Sequence, residues 1–303
     1  MTVAAASRNS VVETLERDGL VLVDGLVSPQ ALKAMHEAFS RVLSHLNWNV
    51  TRGYHKSDNH RRMVEDILTL DPAFQELALH PRVREVLAAY LGPDYTLTEV
   101  KGWETVASRT DFHGWHNDAW YDHSLSEVPR EVKLGLYLTD VDSGQFTYIK
   151  GTHVNNRHGH WNENQVRPLA DRIVEVKGKA GSTFLFDTAG IHRQSAPVLS
   201  PRRAVFFNYH DPRIPLQAID VKAYRYHPLV LNAAFLGDLS AEDRRVLGFG
   251  NQLTYQRSYQ QEHRYRLLHA LFTGILSLVI EAENAINTGK TAWRYALRKL
   301  RNQ

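Results

Sequence analysis

Apolar positions follow one period near the N-terminus, another in the middle of the chain, and the first again near the end. Leu32, Met35, Phe39, Val42, Leu43 and Leu46 recur at three- and four-residue intervals behind Ser28-Pro29, a Ser N-cap followed by a proline suited to a first turn, and predict a helix. A short helix over residues 11–17, stopped near Gly19, and a β-branched strand at Leu20-Val21-Leu22-Val23 precede it. Residues 47–60 are polar and read as a loop. Helices are expected over residues 61–70 and 72–90, the second ended by Gly92-Pro93. After Tyr95 the period changes. Residues 95–106, 132–139, 145–149, 173–176, 183–186 and 203–209 are short strand candidates with turns but no helical stretches between them. That arrangement predicts an antiparallel sandwich or barrel. From Ser240 the pattern is helical again, to about Arg301. The expectation is one α+β, mainly β domain over residues 1–303. Its β core covers residues 95–212, and a helical extension covers residues 240–303.

Composition narrows the chemistry more than the fold. With 303 residues, 43% hydrophobic and 23% charged, the chain is an ordinary globular sequence long enough for a sizeable core. It has no cysteine, which excludes disulfides, thiolate nucleophiles and cysteine-based zinc or iron–sulfur sites. Any metal must be held by histidine and carboxylate, a donor set suited to Fe(II), Mn or Zn. The net charge of +3 arises from scattered residues rather than a basic cluster, which argues against a nucleic-acid partner. The opening residues lack the apolar core of a signal peptide. Residues 267–280 are too short and too interrupted to cross a bilayer, so a cytoplasmic protein without stable membrane insertion is expected. That apolar segment, followed by Lys290, Arg294 and Arg298, is expected to pack on the β core or to join two copies as a homo-oligomer.

Among 16 histidines, His116-Asn117-Asp118 is the sole His-x-Asp triplet. On an extended segment, alternate residues share a face, so His116 and Asp118 can reach one ion. A second histidine must come from elsewhere. His192 follows the turn-and-strand pattern Gly181-Ser182-Thr183-Phe184-Leu185-Phe186-Asp187, where a rigid element can aim it. Two histidines and one carboxylate leave coordination positions open, the arrangement of non-haem Fe(II) sites that activate oxygen. The next strand opens on Arg202-Arg203, and an arginine at the mouth of an apolar strand needs a carboxylate partner.

These residues resemble the phytanoyl-CoA dioxygenase-like family of Fe(II)/2-oxoglutarate oxygenases, in which His-x-Asp precedes a distal histidine and then an arginine. His116, Asp118 and His192 match the metal positions, and the family's interval favours Arg203 over Arg202 for the co-substrate. Asp18-Gly19-Leu20-Val21-Leu22-Val23 is similar to the family's opening strand. Leu136-Tyr137-Leu138-Thr139-Asp140 and Tyr148-Ile149-Lys150-Gly151-Thr152-His153 are similar to its central hairpin. Where the family often has Ser or Thr two residues after the distal histidine, this chain has Gln194, which can donate the same hydrogen bond.

The resemblance implies a double-stranded β-helix of jelly-roll or cupin type, Fe(II) as cofactor, and 2-oxoglutarate and O2 as co-substrates. It also implies oxidation of a C–H bond in a small metabolite, such as a natural-product intermediate, with release of succinate and CO2. Asp118 argues against halogenation, since the related halogenases have a small residue there. Hydroxylation, desaturation, epoxidation and cyclisation stay open. His113, Trp115, Trp120 and Tyr121 flank the dyad and are candidates for the substrate wall. His158 and His160 read as surface residues, and His210 and His227 as structural ones. Two other functions compete: a hydrolase or isomerase using another divalent metal without 2-oxoglutarate, and a non-catalytic metal-binding protein. Succinate production separates the first from the oxygenase reading, and oxygen uptake the second.

Overall fold

Two antiparallel sheets face each other in the computed structural model, which describes residues 8–44, 61–65, 67–111, 113–118, 130–155, 159–211 and 239–247, with isolated positions beyond residue 277. The N-terminal part contains α1 (Arg8–Asp18), β1 (Leu20–Leu22), α2 (Pro29–Ser44), β2 (Arg61–Glu65), α3 (Pro72–Ala78) and α4 (Pro81–Leu91). Then come β3 (Thr96–Thr105), β4 (Trp115–His116), β5 (Glu131–Tyr137), β6 (Val141–Ile149) and β7 (His160–Trp161). They are followed by α5 (Glu163–Val166), β8 (Ile173–Gly178), β9 (Thr183–Asp187), β10 (His192–Gln194), β11 (Arg202–His210) and α6 (Ala241–Val246). One sheet has the order β1-β9-β5-β11-β3-β2, the other β7-β4-β10-β6-β8.

The larger sheet is covered on both faces, which explains its near-continuous apolar strands. Val132, Leu134, Leu136, Leu185, Val205, Phe207 and Tyr209 pack against the helices. Their neighbours Tyr137, Phe184, Phe186, Ala204 and Phe206 point the other way, into a core shared with Phe146 and Tyr148 of the second sheet. Period-two alternation sorts each strand between the two layers. Gly135 sits where that packing is tightest: a Cβ there would lie 2.4 Å from the Phe184 ring.

Two N-terminal expectations change. Residues 61–70 are not helical: β2 pairs with β3 from Arg61↔Thr105 to Glu65↔Lys101, and a single 3-10 turn covers Ile67–Thr69. The helix-forming residues of this stretch lose to edge pairing that buries Val64 completely. The expected helix over residues 72–90 is two helices, because Pro81 starts a new one. The residue before a proline avoids helical geometry, and His80 instead caps α4 by accepting from the Arg82 amide at 3.2 Å. The sheet also extends beyond residues 95–212, since β1 pairs with β9 and β2 with β3. Residues 47–60, and the extension beyond α6 apart from isolated positions, lie outside the described residues. Among those described, no helix is long and apolar enough to cross a membrane.

Candidate active site

Strand pairing sets His116 directly opposite His192, β4 against β10. Each ring hydrogen-bonds through Nδ1 to a backbone carbonyl two residues earlier: His116 to Gly114 at 2.9 Å and His192 to Gly190 at 2.8 Å. A carbonyl only accepts, so Nδ1 carries a proton, and in the neutral ring the lone pair is on Nε2. This fixes the tautomer a metal ligand requires. Asp118 lies two residues along, its amide donating to Thr188 O at 2.9 Å. The buried Asn117 joins the two segments by donating to Ala189 O at 3.0 Å and accepting from the Gly159 amide at 3.1 Å.

One potential ligand atom from each of His116, Asp118 and His192 falls within 4.8 Å of the others, and among the described residues this is the grouping that could hold an ion. Burial, with the nearby His192, pushes the His116 imidazole down to about 3, so it is a neutral donor. Burial alone would push the Asp118 carboxyl up. The Lys133 ammonium and His192 outweigh it and hold Asp118 well below the usual carboxylate range. A neutral His116 imidazole, a second imidazole from His192 and an ionised carboxylate fit an Fe(II) ion.

The triad opens onto a cavity of about 570 Å³ between the sheets. Arg202 enters it from β11. It is 2% exposed, and its Nε and Nη1 have no hydrogen-bond partner. Its guanidinium lies 5.7 Å from the Tyr137 ring centroid, and burial lowers its pKa. A desolvated guanidinium without a carboxylate is costly, so the cavity is built for an anion at this point. Gln194 lines the cavity from the facing sheet and accepts from Thr105 Oγ1 at 3.1 Å, and Thr105 pairs with Arg202 within the larger sheet.

A family model described as phytanoyl-CoA dioxygenase (PhyH) matches residues 15–205. The chain belongs to this family. Membership places it among the non-haem iron, 2-oxoglutarate-dependent enzymes. Solved structures share the fold at low identity. EctD from S. alaskensis with 2-oxoglutarate and 5-hydroxyectoine is 20% identical with a TM-score of 0.58, over 72% of this chain and 80% of that one. The non-heme alpha ketoglutarate dependent epimerase SnoN from nogalamycin biosynthesis is 19% identical with a TM-score of 0.53, over 67% and 82%. The carbocyclase SnoK from the same biosynthesis is 18% identical with a TM-score of 0.54, over 69% and 87%. No curated protein matches the sequence.

Of the two neighbouring arginines, Arg202 lines the cavity. Arg203 does not face the cavity. Its Nε donates to Glu104 at 2.8 Å and its Nη1 to Ser40 Oγ at 2.6 Å, tying β11 to β3 and α2. Odd-numbered residues of β11 face the helices and even-numbered ones face the cavity, so the interval from His192 selected the wrong side of the strand. Trp115 is a second correction. It is 2% exposed and packs with Ile149, Val166 and Ile191 under the Arg193 guanidinium, because it sits on the face of β4 opposite His116. His113 stands on the cavity wall, its ring 5.2 Å from that of His116. Burial, with Arg61 nearby, pushes it down to about 4. Trp120 and Tyr121 lie outside the described residues, as do His158 and His227. His160 is exposed, as the surface reading expected, and pairs with His116 across β7 and β4 at the rim of the cavity.

Sequence reasoning missed Lys133 and His210. Lys133 Nζ donates to Asp118 Oδ2 at 2.6 Å, and His210 Nε2 lies 3.2 Å from Glu131 Oε2, both pairs on the cavity wall. The signal was available. Glu131 and Lys133 alternate with apolar Val132 and Leu134, and polar side chains on the inner face of a strand covered on both sides are out of place unless they serve a site. Because Lys133 holds the carboxylate of a metal-ligand candidate, Lys133→Met is expected to lower turnover by about ten- to a hundred-fold, the usual cost of losing an outer-shell partner. Succinate release at saturating Fe(II) measures it. Full turnover in this variant would show that the lysine does not orient Asp118.

Proposed function

We propose that this protein is an Fe(II)- and 2-oxoglutarate-dependent oxygenase that oxidises a C–H bond of a small metabolite, releasing succinate and CO2. The observation that carries the reading is the pairing of the His116/Asp118/His192 group with a buried Arg202, two of whose guanidinium nitrogens lack a hydrogen-bond partner, in one cavity. The first calls for a metal with open positions, and the second for a carboxylate that the described protein does not provide.

The iron supplies the oxygen chemistry, and the protein supplies position and exclusion. His116 and His192 present Nε2, each ring held by its Nδ1 hydrogen bond. Asp118 supplies an anionic oxygen while Lys133 restrains the other. Arg202 takes the distal carboxylate of 2-oxoglutarate with a planar fork, and Gln194 offers its amide NH2 beside it. Trp103 stacks on Phe206 at 4.8 Å, and with Phe146 these rings form apolar walls that limit water around the co-substrate. With Asp118 in place, hydroxylation is the default outcome. SnoN and SnoK, described as an epimerase and a carbocyclase, show that the fold also accommodates other outcomes. The cavity suits a small molecule, and a natural-product intermediate is the class we favour.

The test is direct. Purified protein given Fe(II), 2-oxoglutarate and oxygen is expected to release succinate, and EDTA to abolish the release, with Fe(II) restoring it. Metal-dependent hydrolysis or isomerisation without succinate would replace this reading with the hydrolase or isomerase alternative.

A further inference from the structure

Arg202 and Asn208 face the cavity from one strand, six residues apart, a distance of about 20 Å at strand rise. One molecule of 2-oxoglutarate at Arg202 cannot reach the far end. That end has a different character. Its wall includes Thr98, Glu99, Lys101, Glu131, Asn208 and His210, all polar, whereas Trp103, Phe146 and Phe206 lie toward Arg202. Lys101 is paired with Glu99, Nζ to Oε1 at 2.8 Å, and His210 Nε2 lies 3.2 Å from Glu131 Oε2. Asn208 Nδ2 lies 3.1 Å from His210 Nε2, leaving Asn208 Oδ1 buried without a partner, and His210 Nδ1 is likewise unpartnered.

We propose that the substrate is an uncharged, hydroxyl-rich small molecule bound at this end, an inference that rests on the assignment of Arg202 to 2-oxoglutarate. A hydroxyl both donates and accepts. It can donate to a carboxylate or to Asn208 Oδ1 and accept from the lysine beside them without disturbing the pairing. An anion meets Glu99 and Glu131 here, and among the described residues of this end the lysine, Lys101, is already paired with Glu99; leaving a charge unpaired in a confined site is unfavourable. Among the described residues an acyl chain finds no apolar side chain at this end, and laying hydrocarbon over these groups would leave their remaining hydrogen bonds unmade. The wall therefore selects against both parts of a fatty acyl-CoA.

The experiment uses the full-length protein loaded with Fe(II) and 2-oxoglutarate. Succinate release above the substrate-free rate is measured with three sets of probes. The first contains neutral polyols (methyl glucopyranoside and myo-inositol), the second the matching methyl glucuronoside, and the third palmitoyl-CoA. The neutral set is expected to stimulate release at least tenfold more than either of the others. Asn208→Leu, with circular dichroism like the parent, is expected to lose at least tenfold of that stimulation. Stimulation led by the glucuronoside or by palmitoyl-CoA, or none from the neutral set, overturns the proposal. If Asn208→Leu does not fold, the comparison among probes on the parent protein decides alone. A parent protein that never develops the absorbance of an iron–2-oxoglutarate complex fails instead at the functional assignment.

Discussion

Arg202→Ala is expected to raise the 2-oxoglutarate concentration needed for half-saturation by roughly thirty-fold to several-thousand-fold, while Arg203→Ala leaves it nearly unchanged. Removing one member of a hydrogen-bonded buried charge pair costs about 2–5 kcal/mol, and that range sets the fold-change. Arg202 is buried in the cavity with two guanidinium nitrogens unpartnered, so the co-substrate carboxylate would be its principal partner. Arg202→Lys is expected to recover part of the affinity, because an ammonium cannot reproduce the planar fork. Arg203 is already occupied by Glu104 and Ser40. Its loss should appear as lower stability, about 1.5–3 kcal/mol for hydrogen bonds to a charged group. Titrating 2-oxoglutarate against the iron charge-transfer absorbance, beside thermal melts of both variants, separates the two roles. Loss of binding in Arg203→Ala with retention in Arg202→Ala would mean that β11 presents its other face to the co-substrate.

The second large effect belongs to the metal triad. His116→Ala, Asp118→Ala and His192→Ala are each expected to abolish turnover and weaken Fe(II) binding beyond the roughly ten- to hundred-fold cost of an outer-shell change. The three ligand atoms converge within 4.8 Å, and each histidine is held by its own carbonyl, so each truncation removes a positioned donor. Asp118→Gly tests more than the ligand. It opens a coordination position and also strips Lys133 of its partner at 2.6 Å, leaving a buried ammonium. Loss of oxidation with little or no chlorinated product in the presence of chloride is expected. Iron titration and product mass spectra read both outcomes, and an active His192→Ala enzyme would remove that residue from the triad.

The local parts of this protein were legible from the chain alone. Ser28-Pro29 and the stripe from Leu32 to Val42 marked α2, and the short runs after Tyr95 marked a β sandwich, because helix and strand periods are properties of neighbouring residues. His116 and Asp118 could be paired on paper for the same reason, since alternation along an extended segment is local. His192 followed because a turn and an apolar strand led to it. Tertiary structure decided what alternation leaves open, namely which of two faces is inside. Arg202 and Arg203 are chemically identical neighbours. Only the packing of Val205, Phe207 and Tyr209 against the helices turns Arg203 away and Arg202 toward the cavity. Trp115 went to the core on the same principle, opposite His116. Residues 61–65 became a strand because β3 offered a free edge and a place to bury Val64, an opportunity that does not exist in the segment by itself. Lys133, Glu131, Asn208 and His210 form a polar wall only because β5 and β11 pair, with Asn208 opposite Lys133 and His210 opposite Glu131. Those partners are more than seventy positions apart, and register between distant strands is fixed by cooperative packing that no short window of sequence contains.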